Sequence, residues 1–512
     1  MHDTEKSDSG IVAEKPTNKA GLLAAEWAEP RPGTKGNAEQ QRMHRTQGRA
    51  RMTQSLDRVR TAARLRKKDR FTALFHHINV DTLRAAFFAL RRKAAPGVDG
   101  MTWEDYEEDL EPRLADLHKR VQRGAYRPQP SRRTYIPKAD GKQRPLAIAA
   151  LEDKIVQGAT VIVLNAIYEG DFCGFSYGFR PGRGPHDALD ALCTAIETRN
   201  VNWIIDADIQ NFFGAVSQPW LVRFLEHRIG DKRIIRLIQK WLKAGVLEDG
   251  VVAADDRGTG QGSVISPLLG NIYLHYALDL WAKRWRQREV SGGMIIVRYA
   301  DDVVVGFERE DDARRFLDAM RARLEEFELT LHPAKTRLIE FGRHAAAQRK
   351  QRGLGKPETF AFMGFTFICG KSRQGRFQLQ RKTRSDRLRT KLREIKEELR
   401  RRMHWPIPAQ GKWLRQVLTG HFAYFAVPTN GRALNAFRFY LTDLWRRTLR
   451  RRSQRTCLTW DRITQITDDW LPKARILHPS KTSLAQSVNL GWFASWNIGS
   501  ATSASSASFR NG

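Results

Sequence analysis

Residues 295–307 read Ile-Ile-Val-Arg-Tyr-Ala-Asp-Asp-Val-Val-Val-Gly-Phe, and the adjacent acids Asp301 and Asp302 decide how the chain is read. The apolar, β-branched runs on either side have the character of buried strands. Carboxylates are costly to bury unless they are paired or bound to a cation. Two strands joined by a tight turn, with the acids at its tip and a divalent cation above them, would account for their place. Magnesium bridging phosphate oxygens is the usual user of such a site. An ordinary polar Asp-Asp turn would account for the same residues.

A second interrupted strand sits upstream at residues 203–213, Trp-Ile-Ile-Asp-Ala-Asp-Ile-Gln-Asn-Phe-Phe. Side chains repeat every two residues along a strand, so Asp206 and Asp208 share a face. If two neighbouring strands bring their ends together, Asp208 meets Asp301 and Asp302. Three converging carboxylates can hold two metal ions roughly 3.5–4 Å apart, one activating a 3′-hydroxyl and one stabilising departing pyrophosphate. That chemistry is nucleotidyl transfer.

Further blocks surround these two. They include Ala95-Pro96-Gly97-Val98-Asp99-Gly100, Tyr135-Ile136-Pro137-Lys138 with Arg144-Pro145-Leu146, and Ser176-Tyr177-Gly178-Phe179-Arg180-Pro181. Gly260-Gln261-Gly262, Ser266-Pro267-Leu268-Leu269-Gly270-Asn271, Leu331-His332-Pro333-Ala334-Lys335-Thr336 and Phe362-Met363-Gly364-Phe365 follow. In this order they resemble the reverse transcriptase–maturases encoded by bacterial and organellar group II introns, over about residues 70–485.

The resemblance implies an α+β, right-hand polymerase. Fingers and palm would form an antiparallel sheet backed by helices, and an α-helical thumb and maturase domain X would follow. It implies Asp208 and Asp301 as principal ligands of two Mg2+ ions, with Mn2+ as a substitute, and Asp302 in support. Asp206 is either a neighbour of the metal ligands or a strand-start residue. Phe213 matches the bulky gate beneath the sugar of an incoming dNTP, although its spacing fits a core aromatic equally well. Lys138 and Arg144, on a glycine-turn hairpin, would present cations to the triphosphate, and Gln261 would align nucleotide and template base. Lys335 corresponds to a lysine that protonates leaving pyrophosphate, or else is a surface lysine. Ser266 reads as a helix cap with Pro267 at the first helical position. Asn271 reads as a template or backbone contact, or as a helix-surface amide. One departure stands out: the family commonly continues Phe-Asp-x-Ile where this chain has Phe213-Gly214-Ala215-Val216.

The formal charge of +32, from 88 Lys and Arg against 56 Asp and Glu, predicts salt-dependent binding to a polyanion. Cys173, Cys193, Cys369 and Cys457 lie far apart in sequence, which argues against a disulfide framework or a structural zinc site. No run of about 20 apolar residues exists, so no membrane span is expected. A cytoplasmic location, nucleoid-associated in a bacterium, is the expectation.

Residues 1–55 read as a basic and polar tail, and 56–125 as a helical N-terminal extension with the first polymerase block. Residues 126–370 would be fingers and palm, 371–485 thumb and domain X, and 486–512 a low-complexity tail. Within 381–460, 21 Lys and Arg face 5 Asp and Glu. Leu388, Leu392, Ile395 and Leu399 form a helical stripe there, flanked by Lys391, Arg393, Lys396 and Arg400. Aromatics interleaved with the basic residues can stack on unpaired bases. His478, beside Pro479, reads as a capping or core residue. The tail carries neither a His-Asn-His signature nor cysteine clusters, so the resemblance is to the form without a C-terminal endonuclease.

The expected activity is RNA-directed DNA polymerisation combined with intron-RNA binding and splicing. Expected partners are group II intron RNA, an RNA template with a DNA primer, and target DNA. A splicing maturase without significant polymerase activity, and a reverse transcriptase recruited to a cellular or defence role, remain the alternatives.

Overall fold

The computed structural model describes residues 54–478, apart from 138–142, 249, 254–255, 261 and 453–457. The two expected tails, as well as Lys138 and Gln261, therefore fall outside the described residues, the first tail but for its last two positions. The fold is α+β. Its strands are β1 (Ser131–Pro137), β2 (Gln143–Ile148), β3 (Trp203–Asp208), β4 (Val246–Glu248) and β5 (Val251–Ala253), then β6 (Met294–Tyr299), β7 (Asp302–Phe307) and β8 (Arg337–Glu340). A last set comprises β9 (Phe360–Phe362), β10 (Phe365–Lys371) and β11 (Phe377–Thr383).

The central sheet has the order β6-β7-β3-β8, with every pair antiparallel. The run Val303–Phe307 is buried throughout, because both faces of β7 are covered. On one side the helix Glu310–Glu326 packs Phe316 against Phe307, with ring centroids 5.3 Å apart. This explains why β7 reads as a continuous apolar run and not as an alternation. A second sheet, β2-β1-β4-β5, is mixed: β1 and β2 form an antiparallel hairpin and β1 runs parallel to β4. The helix Leu151–Asp171 is buried along most of its length. Helices at Val80–Ala89 and Leu110–Gln122 turn Leu83, Phe87, Leu114 and Leu117 into the same core.

The helix Ser266–Leu274 begins differently from the expectation. Ile265, not Ser266, holds the cap position. The Ser266 hydroxyl donates to the carbonyls of Thr259 and Gly260, tying the preceding loop to the helix instead of accepting from it. At His275–Asp279 the helix opens into a π-helical turn before continuing to Arg288.

The chain divides into two compact units, between Leu379 and Gln380. The second contains helices Ser385–Arg401, Ile407–Phe425, Gly431–Arg450 and Trp460–Trp470. The expected stripe is its seam: Ile395 and Leu399 are buried, and Leu388 and Leu392 pack beside them. Arg393, Lys396 and Arg400 are exposed on the same helix. The His478 imidazole bonds the Ala423 carbonyl at 2.6 Å, so it caps a helix end. Among the described residues no helix is long and apolar enough to cross a membrane.

Candidate active site

Strand register brings the acids together. Asp208 lies directly opposite Asp302 across β3 and β7, and Asp206 lies opposite Val304. Directly paired residues project to the same face, so Asp206, Asp208 and Asp302 share one side of the sheet. Asp301 stands in the two-residue turn between β6 and β7, which Tyr299 and Asp302 close. Asp206 is mid-strand and faces Arg337 on β8, 3.7 Å from its guanidinium. It is thus a neighbour of the cluster, not a strand-start residue.

These charges act on one another. Desolvation, followed by the charges on Asp301, Asp208 and Asp206, pushes the Asp302 carboxyl up to about 7, with Lys335 opposing. Asp302 nonetheless keeps an exposed surface. Water therefore relieves part of its desolvation, whereas the repulsion from the neighbouring carboxylates remains.

Lys335 enters through the backbone. Gln210 N–H donates to the Thr330 carbonyl at 2.8 Å, and His332 N–H donates to the Asp208 carbonyl at 2.8 Å. These bonds clamp the segment after Leu329 onto the end of β3. The Lys335 ammonium then reaches Asp208 Oδ2 at 2.7 Å.

The turn itself is held from below. Ala300 has a φ of +56°, a left-handed conformation that favours glycine and needs support from its surroundings. Arg298, fully buried, supplies it. Its guanidinium donates to the Ala300 carbonyl at 2.9 Å, to Asn271 Oδ1 at 3.0 Å and to Ser176 Oγ at 2.7 Å. It also forks onto both Asp279 oxygens at 2.7 and 2.6 Å. The π-helical turn ends at Asp279, the carboxylate of this pair. Asn271 is buried and donates to the Gly178 carbonyl at 2.7 Å. It thus makes a backbone contact and is not a helix-surface amide.

In front of the acids lies an open cleft of about 630 Å3, lined among others by Asp208, Asp301, Phe213, Lys335, Arg133 and Gln157. That volume suits a ligand of nucleotide size. Phe213 is half-buried on the short helix Phe212–Ala215, whereas its neighbour Phe212 is fully buried. A side chain at Gly214 would place its Cβ 2.5 Å from Asn211 Nδ2, so the Asn211 amide fills the room that the family's acid would take. Of the other expected residues, Arg144 pairs through its backbone with Ile136, and its side chain lies outside the described set with Lys138 and Gln261. Sequence reasoning missed Arg133, Gln157 and Arg298. Arg298 could have been found from its place, because an arginine amid strand residues buried on both faces requires a buried anion.

Among the described residues no group of three or more His, Cys, Asp or Glu is gathered closely enough to hold a metal ion. The donor set nevertheless fits a hard divalent cation. It consists of carboxylate oxygens at one end of the inner strands β3 and β7, and their mutual repulsion is what a cation relieves.

Residues 136–367 match the family described as reverse transcriptase (RNA-dependent DNA polymerase). Protein YkfC of Escherichia coli K12 is 41% identical over 197 residues, 37% of this chain and 51% of that protein. The group II intron-encoded protein LtrA of Lactococcus lactis subsp. cremoris is 35% identical over 207 residues, 40% of this chain and 34% of LtrA. An uncharacterized 91 kDa protein in the cob intron of Schizosaccharomyces pombe is 45% identical over 146 residues, 28% of this chain and 18% of that protein. The chain thus spans about half the length, or less, of these curated relatives. Over these segments it is similar to reverse transcriptases and to group II intron-encoded proteins.

Proposed function

We propose that the chain is an RNA-directed DNA polymerase that also binds group II intron RNA and assists its splicing. The observation that carries this reading is the register of Asp208 against Asp302, with Asp301 in the adjoining turn, at the edge of a nucleotide-sized cleft. The cleft lies largely within the segment that matches reverse transcriptases.

On this reading Asp208, Asp301 and Asp302 would hold Mg2+, with Mn2+ as a substitute. Bound there, the metal supplies Lewis acidity to the primer 3′-hydroxyl and charge neutralisation to the dNTP phosphates. The chain's own residues do the rest. Asp208 and Asp302, fixed by strand pairing, orient the reacting groups at the end of these strands. Lys335 Nζ, the ion-pair partner of Asp208, holds the proton that the pyrophosphate oxygen takes as it leaves. The Phe213 ring occludes the space of a ribose 2′-hydroxyl. Lys138 and Arg144 contact the triphosphate, and Gln261 aligns the templating base. Residues 126–370 act as fingers and palm and 371–485 as thumb and domain X. In the latter, the exposed cations of the helix Ser385–Arg401 track intron RNA.

The test is extension of a DNA primer on an RNA template by the purified protein, with dNTPs and Mg2+, beside a splicing assay on a group II intron RNA. Full-length cDNA is expected. Splicing assistance without extension in either Mg2+ or Mn2+ would instead make the chain a maturase alone.

A further inference from the structure

The loop carrying Ser176-Tyr177-Gly178-Phe179-Arg180 is a motif block that the proposed chemistry leaves without a task. It is built against the turn that carries Asp301. Ser176 forms a parallel bridge with Arg298 at the end of β6, with Arg298 N–H donating to the Phe175 carbonyl and Tyr177 N–H to the Arg298 carbonyl, both at 2.9 Å. Gly178 lies so close beneath the turn that a Cβ there would stand 2.3 Å from the Ala300 nitrogen. Arg180, itself buried, fastens the loop by donating to the carbonyls of Ser176 at 2.7 Å and Cys173 at 2.9 Å and to Glu169.

Between Gly178 and Arg180 the chain does something costly. Phe179 takes a φ of +58°, a conformation uncommon for a bulky residue. Its ring gains little burial in exchange, since the residue stays 53% exposed. Its neighbour is Tyr299, with ring centroids 6.4 Å apart. A strained backbone that holds an apolar ring in solvent marks a place where something else is to be covered. Here that place adjoins the acids' turn.

We propose that Phe179 is a primer-binding residue: its ring, with Tyr299, forms an apolar platform for the sugar and base edge of the nucleic-acid strand whose 3′ end meets Asp301 and Asp302. This rests on the polymerase reading above. The platform is positioned by the main-chain bridge at Ser176 and by the fit of Gly178 under Ala300, so its distance from the acids is fixed by the fold.

Three substitutions of Phe179 test it. Phe179→Gly removes the ring and relieves the positive φ, so thermal stability of the full chain should stay unchanged or rise. Binding of a fluorescein-labelled DNA primer–RNA template duplex should weaken on the order of tenfold, in the range of losing one aromatic–nucleotide contact. In extension assays the KM for primer–template should rise by a similar factor while the KM for dNTP stays put, and Phe179→Trp should retain wild-type affinity. Wild-type duplex affinity in both Phe179→Gly and Phe179→Ala would overturn the proposal. So would a marked loss of stability in Phe179→Gly, which would make the ring a packing element. The duplex-binding arm needs no catalysis, so a wild-type protein that fails to extend primers would refute the polymerase reading and still leave Phe179 to be judged by binding.

Discussion

The buried pair of Arg298 and Asp279 separates stability from catalysis at the acids' turn. Both side chains are essentially out of solvent, and Arg298 satisfies both oxygens of Asp279. Arg298→Met leaves the Asp279 carboxylate without its cation in the core. Breaking a buried pair in this way costs about 3–5 kcal/mol, a large part of the roughly 5–15 kcal/mol that holds a domain together. The double variant Arg298→Met/Asp279→Leu removes both charges and should regain the part of that loss that comes from the unpaired carboxylate, since an apolar pair of similar volume is often neutral, while the cost of the other acceptors left without a donor remains. Activity should not return with it. The Ala300 carbonyl, Asn271 Oδ1 and Ser176 Oγ all lose their donor, and the turn loses the group that fixes its position. A shift of about 1 Å at a reacting group can cost on the order of 10²-fold in rate. The assay pairs the denaturant-unfolding midpoint with single-turnover primer extension for wild type, single and double variants. A double variant that is stable and extends primers at the wild-type rate would refute the argument that Arg298 positions the turn.

Three further outcomes are expected. Neutralising Arg393, Lys396 and Arg400 together should weaken intron-RNA binding and lower the slope of log affinity against log salt by about 0.7–0.9 per lost phosphate contact; an unchanged slope would mean that these cations only face solvent. Replacing Phe213 with valine should relax discrimination against ribonucleotides in competition assays, whereas unchanged rNTP/dNTP selectivity would make it a packing residue. His421 is buried against Phe437, with ring centroids 3.8 Å apart, and desolvation, with Lys391 nearby, pulls its imidazole down to about 4 from 6.5. The folded state thus binds fewer protons than the unfolded one. The neutral ring's contribution is complete above about pH 6.5 and is lost as pH falls toward 4, by at most about 1.4 kcal/mol per pH unit. His421→Phe should flatten that part of the stability profile measured by denaturant unfolding, and an equally steep profile would contradict the assignment.

The sequence made the acids and their strands legible because an Asp inside a buried β-branched run has few explanations. The period of two placed Asp206 and Asp208 on one face, and the sheet pairing agrees. The stripe at Leu388, Leu392, Ile395 and Leu399 was legible for the same reason, since its spacing matches a helix buried on one side. What could not be read were contacts that leave a single helix or strand. Ser266 looked like a cap, yet its hydroxyl goes to the Thr259 and Gly260 carbonyls, which no local pattern encodes. Asn271 read as a template or backbone contact or as a surface amide, and only tertiary packing shows it joined to Arg298 under Ala300. The left-handed backbone at Phe179 and Ala300 was equally hidden, because neither residue type announces a positive φ.

The central claim, that the acids at the paired ends of β3 and β7 form a polymerase site, is tested most directly by single-turnover incorporation of one dNMP in Mg2+ by wild type, Asp208→Asn and Asp301→Asn, with primer–template affinity measured on the same preparations. Both variants should lose incorporation to background while binding the duplex within a few-fold of wild type, because the carboxylates act on the reacting groups and affinity is spread over a wide basic surface. Incorporation by Asp301→Asn at a rate comparable to wild type would contradict the account.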